Sequence, residues 1–207
     1  AIERLDADTA RSPRNYRRII ASFEQRKTDI LVGTQIITKG FDFGGVALVG
    51  ILNADNMLNY PDFRAGERAF QMMMQVGGRA GRREEQGTVV IQTAQPEHPV
   101  VRQARDSDYD AMIRSQLAER RAFFYPPFCR LIAVLLRHRD HALLWKAAAA
   151  FGTEARTRFG RRLLGPEPPA VDRIRGQFRL QFLLKIEKQL PVAAVKKELS
   201  GLFDRLH

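Results

Sequence analysis

The 207-residue sequence has a single cysteine, Cys129, and no long uninterrupted apolar run. One cysteine excludes an internal disulfide and a cysteine cluster that could hold structural zinc. A membrane-spanning helix needs about 20 consecutive apolar residues, so we expect no membrane association. The sequence opens at Ala1 without a charged leader before an apolar stretch. We therefore expect a cytoplasmic protein, and a segment of a longer chain.

Two motifs of nucleotide-hydrolysing enzymes are also missing. The sequence has neither a GxxxxGK(S/T) phosphate loop nor a DExH-like acidic motif, the elements that hold ATP and its Mg²⁺. We therefore expect that the chain alone does not hydrolyse ATP. The four histidines, His98, His138, His141 and His207, are not spaced as metal ligands, and we expect no metal site.

Acidic residues are scarce in the second half. The whole sequence has 34 Lys and Arg against 23 Asp and Glu, a net charge of +11. Residues 1–100 carry 13 basic and 12 acidic side chains, whereas residues 101–207 carry 21 and 11. Such a local excess is typical of a module that binds a polyanion. A solubilising surface gives the same net charge, so charge alone leaves both interpretations open.

The first half alternates strand-length apolar runs with segments of helical spacing. This pattern predicts an α/β lobe with a parallel sheet over residues 1–107. Residues 108–128 predict a charged helix and a connector that Pro126 and Pro127 bring to an end. Residues 129–207 predict a small α+β domain with helices on one face of a short sheet. Its predicted elements are strand 131–136, helix 143–159, loop 165–169, strand 178–186 and helix 192–206.

Several local signals bear on packing. Ser12 followed by Pro13 predicts the start of a helix. The run Met72 to Met74 lies in a segment of helical spacing, and we expect these methionines to fill the core. We expect Cys129 to be a small buried apolar residue. The aromatic residues of the connector could stack on bases or anchor the segment, and anchoring is the preferred interpretation. These residues are Phe123, Phe124, Tyr125 and Phe128.

The strongest chemical signal is QVGGRAGR, which runs from Gln75 to Arg82 after a helical segment. Arg79 and Arg82 are three residues apart among glycines, so tight backbone packing can bring both guanidinium groups to one side. Such a pair is suited to the charge on a transferring γ-phosphoryl group, the arginine-finger role. The alternative is an arginine-rich turn that meets the dipole at a helix C-terminus.

A second segment, GTQIITKGFDF, follows the apolar run DILVGT. In an open α/β sheet, ligands bind at the carboxyl ends of the strands. A threonine hydroxyl there can bind a DNA phosphate, and the aspartate can accept from a ribose hydroxyl or orient an arginine. A glycine-containing loop is the alternative for either segment alone, and their co-occurrence in one lobe argues against it. The residues placed to meet a ligand are Thr34, Gln35, Lys39, Gly40 and Asp42.

These segments resemble known helicase motifs. GTQIITKGFDF resembles motif V, and QVGGRAGR resembles motif VI, of the superfamily 2 helicases. Similarity to the primosomal PriA family extends over three further segments: ALVGILNADNMLNYPDFRAGERAFQ, AERRAFFYPPFCRLI and GPEPPAVDRIRGQFRLQFLLK. Two parts of them are narrower pointers to this family than motif VI, namely the LNADNMLNYPDFRAGERAFQ stretch and the YPPF connector. The resemblance implies that residues 1–107 form most of a RecA-like second helicase lobe. It also implies that residues 129–207 are a DNA- and partner-binding C-terminal domain.

The resemblance implies an ATP-dependent 3′-to-5′ DNA helicase that acts in replication restart and primosome assembly. ATP and Mg²⁺ would be held mainly by a first lobe that is missing here, and the family's zinc-binding cysteines are also absent from this chain. Arg79 and Arg82 would face the γ-phosphate. Gln75, Gly40 and Asp42 would lie near the nucleotide.

The resemblance further implies contacts with DNA and with proteins. The DNA would be single-stranded or branched, and the proteins would be the acidic C-terminal tail of single-strand binding protein and other primosome components. In the motif V segment of the second lobe, Thr34, Gln35 and Lys39 would touch the DNA. In the C-terminal domain, the matching positions are Arg175 and Arg179 for DNA, and Arg179, Gln181 and Lys185 for the tail.

Two positions depart from the family pattern, because Gln177 replaces a frequent basic residue and Leu180 a frequent tryptophan. These departures bear on the exact tail contacts. Three alternatives also remain. The chain could be a non-catalytic DNA-binding module in which Arg79 and Arg82 only bind phosphates. It could be an adaptor whose basic half docks acidic peptides, or part of a related superfamily 2 helicase that migrates branches or acts on RNA.

Overall fold

The computed structural model describes residues 1–6, 8–34, 46–78 and 87–205, without the side chains of Ala10 and Arg205. The chain divides into two compact units, Ala1–Ile113 and Arg114–His207. One helix, α5 (Tyr109–Ala122), crosses this boundary. None of the helices in the described ranges is long and apolar enough to span a bilayer.

The described residues of unit 1 form two pairs of parallel strands. β1 (Ile2–Leu5) pairs with β2 (Ile30–Gly33), and β3 (Leu48–Ile51) pairs with β4 (Thr88–Ile91). Parallel pairing requires a crossover, which α1 (Pro13–Glu24) provides between β1 and β2. The prediction of a parallel α/β lobe is therefore confirmed.

The start of α1 is as predicted. The Ser12 hydroxyl accepts a hydrogen bond from the Asn15 amide at 3.5 Å, and Pro13 lies in the first turn. Before α1 a short 3₁₀ turn, Thr9–Arg11, follows β1, and the Asp6 carboxylate accepts from the Thr9 amide at 2.9 Å. The Asp6 and Thr9 side chains thus satisfy the backbone amides of Asp6, Asp8 and Thr9.

The other helices in the described part of unit 1 are α2 (Asp55–Leu58), α3 (Ala65–Gly77), α4 (Pro99–Arg105) and the first part of α5. The segment before α4 has the composition of a turn, and no helix was predicted there. The His98 ring accepts from the Val100 amide at 3.2 Å and Pro99 opens the helix. Because His98 takes the place of the usual Ser, Thr, Asp or Asn cap, the start of this helix cannot be recognised from the sequence.

α3 supplies four of the eleven buried residues in the larger cluster of unit 1, among them Phe70, Met73 and Val76. Met72 and Met74 are partly buried against the same cluster. The prediction that the methionines are core filler is confirmed. A second cluster is formed where Leu5 of β1 meets the buried face of α1.

The strand faces that point away from the two buried clusters are exposed. On β1 and β2, Ile2 is 70% exposed, Ile30 52% and Val32 48%, and on β3 and β4 Leu48 and Val90 are also exposed. Because strand residues alternate between faces, the exposed Ile2 lies on the opposite face of β1 from the buried Leu5. In the same way, the exposed Leu48 lies on the opposite face of β3 from the buried Ile51. Each strand pair therefore has an apolar face that the described residues do not cover.

Unit 2 is an antiparallel sheet with two helices on one face. The sheet order is β5–β8–β6, and a short β7 pairs with the start of β8. Alternate β8 residues from Phe178 to Ile186 form one core with α6 and α7. The predicted α+β domain with helices on one face is confirmed. The elements are β5 (Arg130–His138), α6 (His141–Phe159), a 3₁₀ turn (Gly160–Arg162), β6 (Leu163–Glu167), β7 (Arg173–Ile174), β8 (Gln177–Ile186) and α7 (Val192–Arg205).

β6 differs from its prediction, since residues 165–167 were expected to belong to a loop. Among the described strands β6 has β8 as its one neighbour, and its register shifts between Leu164 and Glu167. A proline is tolerated at such an edge irregularity because its missing amide donor is not needed. Gly165 has φ +99°, and a Cβ there would lie 2.6 Å from the Gln181 carbonyl oxygen. Glycine is therefore required for this close approach.

Candidate functional site

Most of the predicted nucleotide contacts lie outside the described residues. Six predicted site residues lie outside the described ranges: Gln35, Lys39, Gly40, Asp42, Arg79 and Arg82. Their roles stay predictions. Of the predicted site residues in the two motif segments, Thr34 and Gln75 are the ones that the structure describes.

Thr34 and Gln75 are both exposed at the ends of regular elements. Thr34 directly follows the carboxyl end of β2, the edge at which α/β sheets bind ligands. Gln75 lies in the last turn of α3, between the buried residues Met73 and Val76. Those two anchors hold the helix so that position 75 faces away from the core.

The start of α3 is fixed by a small charge cluster. The Asp62 carboxylate accepts from the Arg64 side chain at 3.0 Å and from Arg68 at 3.1 Å, and its other oxygen accepts from the Arg64 amide at 2.9 Å. Burial tends to raise the pKa of Asp62, but these hydrogen bonds and charges hold it below its usual value. The cluster orients the helix that leads into the arginine motif.

Another acidic residue, Asp55, joins the carboxyl ends of β3 and β4. Its two oxygens accept from the Thr93 hydroxyl at 2.7 Å and the Ala94 amide at 2.9 Å. The Ala94 hydrogen bond, followed by that of Thr93, lowers the pKa of Asp55. Sequence reasoning did not single out this residue, and its geometry is that of a structural link between neighbouring strand ends.

In unit 2, the sheet face without helices carries two of the predicted contact residues. Arg179 pairs in register with Arg137, and Gln181 pairs with Leu135. Since Leu180 and Phe182 are buried beneath α6 and α7, positions 179 and 181 point to the other face. We call this helix-free side of the sheet the open face.

The side chains of Arg179 and Gln181 are partly engaged by their own domain. Arg179 donates through Nη1 to the Val171 carbonyl oxygen at 3.0 Å. Gln181 donates to the Glu167 carboxylate at 3.3 Å. Arg175 lies in the exposed turn between β7 and β8 with φ +49°. The structure therefore brings Arg179 and Gln181 together on one face and places Arg175 in the adjacent turn.

Lys185, the fourth predicted position in this domain, lies at the far end of β8 against the connector. Its Nζ donates to the Phe123 carbonyl oxygen at 2.7 Å and lies 3.7 Å from the centroid of the Tyr125 ring. Burial lowers the pKa of Lys185. Its contacts are those of a residue that holds the connector to the sheet.

Cys129 lies close to the same connector. It is buried, as predicted, and its thiol donates to the Phe124 carbonyl oxygen at 3.2 Å. Burial raises the pKa of the thiol, which opposes a nucleophilic role because the thiolate is the reactive form.

An aromatic cluster that sequence reasoning missed lies at the start of α6, on the side of the sheet that the helices cover. Trp145 in α6 donates through Nε1 to His141 Nε2 at 3.0 Å, and the His141 ring meets the Phe178 ring edge-on at 5.0 Å. A cleft beside these rings is lined also by Asp172 and Arg179. The signal was available, because His141 and Trp145 are spaced by four and share one helix face.

The described ranges contain no group of three or more His, Cys, Asp or Glu residues that could hold a metal ion.

Comparison with known families matches both parts of the chain. Residues 2–84 match the family described as helicase conserved C-terminal domain. Residues 121–205 match the family described as primosomal protein N C-terminal domain.

Curated relatives match along nearly the whole chain, and each is called replication restart protein PriA. The Bacillus subtilis protein is 36% identical over 204 residues, 98% of this chain and 25% of the relative. The Treponema pallidum protein is 42% identical over 186 residues, 89% and 28%, and the Haemophilus influenzae protein is 34% identical over 200 residues, 96% and 27%. The chain thus spans about a quarter of the length of these relatives. Since both domain families and these relatives agree, the chain belongs to the PriA family of replication restart proteins and corresponds to its C-terminal part.

Proposed function

We propose that the chain is the part of an ATP-dependent 3′-to-5′ DNA helicase that carries the second motor lobe and a C-terminal DNA-binding domain. It acts in replication restart and primosome assembly in the cytoplasm. The proposal assigns residues 1–107 to the lobe, 108–128 to a helix and connector, and 129–207 to the C-terminal domain. The match to a helicase domain over residues 2–84 is the observation that carries it.

The motor part of the proposal depends on two guanidinium groups. α3 is held at its start by Asp62 and along its length by buried residues, and it ends at Gly77, two residues before Arg79 in the sequence. Arg79 and Arg82 stabilise the charge on the γ-phosphoryl group during hydrolysis. Gln75, Gly40 and Asp42 lie near the nucleotide, and Thr34, Gln35 and Lys39 contact the DNA backbone.

Several required groups belong to the rest of the longer protein. ATP and its Mg²⁺ are held mainly by a first lobe with a phosphate loop and an acidic motif, neither of which is in this sequence. Zinc belongs to a cysteine-rich segment that is also outside this sequence. The 207 residues alone therefore do not hydrolyse ATP or unwind DNA.

The decisive variant is Arg82→Ala in the full-length protein. DNA-stimulated ATP hydrolysis falls about 10³-fold or more, the typical effect of losing an arginine finger, while DNA affinity stays nearly constant. Arg17→Ala is the control, because Arg17 is an exposed arginine of α1 to which no part of the nucleotide or DNA site is assigned. If Arg82→Ala instead weakens DNA binding and reduces its salt dependence by about one phosphate contact, the chain is a non-catalytic binding module.

The C-terminal domain binds single-stranded and branched DNA through Arg175 and Arg179. It docks the acidic tail of single-strand binding protein, alongside other primosome proteins, on the open face through Arg179, Gln181 and Lys185. Support comes from the basic excess of residues 101–207 and from the in-register neighbours Arg137 and Arg179. Two like charges side by side on a sheet repel each other, and a bound anion relieves that repulsion.

One competition experiment tests whether DNA and the tail share this face. A labelled acidic C-terminal peptide is titrated onto the protein with branched DNA as competitor, for the native chain and for Arg179→Glu. Shared use of the face predicts that DNA displaces the peptide and that Arg179→Glu weakens both. Lys188→Glu, an exposed change of the same charge, is the control. Peptide binding that survives saturating DNA contradicts shared use.

A further inference from the structure

The aromatic cleft of unit 2 lies between the first turns of α6, the start of β8 and the residues before β7. Its rings come from His141, Trp145 and Phe178, and Arg179 and Asp172 complete the lining. α6 is capped at this end by Asp140, whose carboxylate accepts from the Leu143 amide at 2.9 Å. The turn that carries His141 and Trp145 is therefore rigidly placed.

Trp145 is held in one orientation while remaining accessible. The indole donates to His141 at 3.0 Å, and its ring meets the His141 ring edge-on. Among the described residues the His141 ring is its one ring contact, and 37% of the Trp145 surface is exposed. A large ring left partly in water, with its polar atom satisfied within the protein, has the features of a stacking platform.

The surroundings of the cleft are strongly basic. Segments 137–146 and 172–179 contain six Arg or Lys residues and two Asp residues. Within the described ranges, none of those six basic side chains forms an ion pair with an acidic residue. Arg173 lies 4.7 Å from the Phe178 ring centroid, so a cation is held beside the rings. A ligand with both a flat aromatic group and negative charge matches this composition.

We propose that this cleft binds an unpaired nucleobase of a single DNA strand, with the base stacked on Trp145 and flanking phosphates at Arg173 and Arg179. This inference rests on the proposed DNA binding by the C-terminal domain and adds a stacking residue to it. An acidic peptide fits less well, because Asp172 in the lining repels a carboxylate. The same Asp172 can accept from the amino group of a base edge.

The intrinsic fluorescence of the protein reports on this site directly, because Trp145 is the single tryptophan. The 207-residue chain is titrated with a short oligo-dC strand and with an abasic strand of the same length and charge. Stacking predicts quenching by oligo-dC and none by the abasic strand. Oligo-dT, which lacks the exocyclic amine, is expected to bind more weakly than oligo-dC. Quenching of equal size by the abasic strand overturns the proposal.

Affinity is measured separately from the anisotropy of a labelled strand. Trp145→Ala is expected to weaken binding about 5- to 100-fold, the effect of losing one base stack, and Trp145→Phe is expected to restore most of it. Leu143→Ala is the matched control, since Leu143 is exposed in the same helix turn and outside the lining. Circular dichroism establishes that each variant is folded.

The outcomes separate this inference from the proposed function. If Arg179→Ala weakens binding but Trp145→Ala behaves like Leu143→Ala, the stacking site is wrong and the DNA-binding domain stands. If neither variant changes DNA affinity, both are wrong. Quenching by an acidic peptide, with no response to single strands, assigns the cleft to a peptide and also overturns the inference.

Discussion

Replacing Lys185 with methionine tests whether this residue contacts a partner or holds the connector. Methionine keeps most of the apolar stem but removes the hydrogen bond to the Phe123 carbonyl and the cation beside the Tyr125 ring. A hydrogen bond from a charged group contributes about 1.5–3 kcal/mol, and an exposed cation–π contact about 0.5–1 kcal/mol. Relief of the desolvation that lowers the pKa of Lys185 offsets part of this. We expect a net loss of about 1–2 kcal/mol.

Urea unfolding followed by Trp145 fluorescence measures this loss in unit 2, because the single tryptophan belongs to that unit. With a slope of about 1–2 kcal/mol per M, the midpoint falls by about 1 M. Lys188→Met is the control, since Lys188 is exposed close by on the same chain segment. Equal midpoints for the two variants refute the role of Lys185 in holding the connector. Unchanged stability with lost peptide affinity supports the partner-binding role instead.

The same variant has a characteristic dependence on pH. The pKa of Lys185 is lowered by burial in the folded state, and it is about 10.4 in an unfolded chain. Between the two values the unfolded state binds more protons, so this residue makes stability rise with pH across that window. The difference in stability between the native chain and Lys185→Met therefore grows as pH increases toward 10. A constant difference contradicts the shift.

Three further predictions follow from the packing. Phe182→Ala, in the fully buried core of unit 2, is expected to lower its stability by about 3–5 kcal/mol, with Phe182→Leu costing less in the same fluorescence assay. The pKa of Asp55 is lowered by the Ala94 hydrogen bond, so unit 1 loses stability as the pH falls through this lowered pKa. Hydrogen exchange measured over an acid titration should show this loss of stability in the native chain and in the control Glu97→Gln, but not in Asp55→Asn. The Cys129 thiol, buried and with a raised pKa, should react with a disulfide reagent far more slowly in the native chain than in urea, and equal rates would exclude that burial.

The parts of the fold that follow local rules were predictable. The methionine run in α3 has helical spacing, and Ser12 with Pro13 gives the start of α1. The start of α4 was missed because an imidazole, His98, takes the place of a conventional cap. β6 was missed because glycine and proline suggest a loop, and only pairing with β8 makes the segment a strand.

The candidate sites show the same division. The motif of Arg79 and Arg82 is contiguous, so the sequence alone could propose its role. Lys185 meets the Phe123 carbonyl across 62 residues, and no local pattern encodes such a pair. The His141 and Trp145 spacing was visible, but the third ring of the cleft, Phe178, comes from another element that the tertiary fold brings into contact.

The uncovered apolar side chains on β1 and β2 affect how the 207 residues behave when prepared alone. Ile2, Ile30 and Val32 form a contiguous exposed apolar patch on the two neighbouring strands. Such patches promote association between copies of a chain. Sedimentation of the isolated chain should therefore show an average mass that increases with protein concentration. A single charge at the centre of the patch, as in Ile30→Lys, should keep the chain monomeric and make it easier to study.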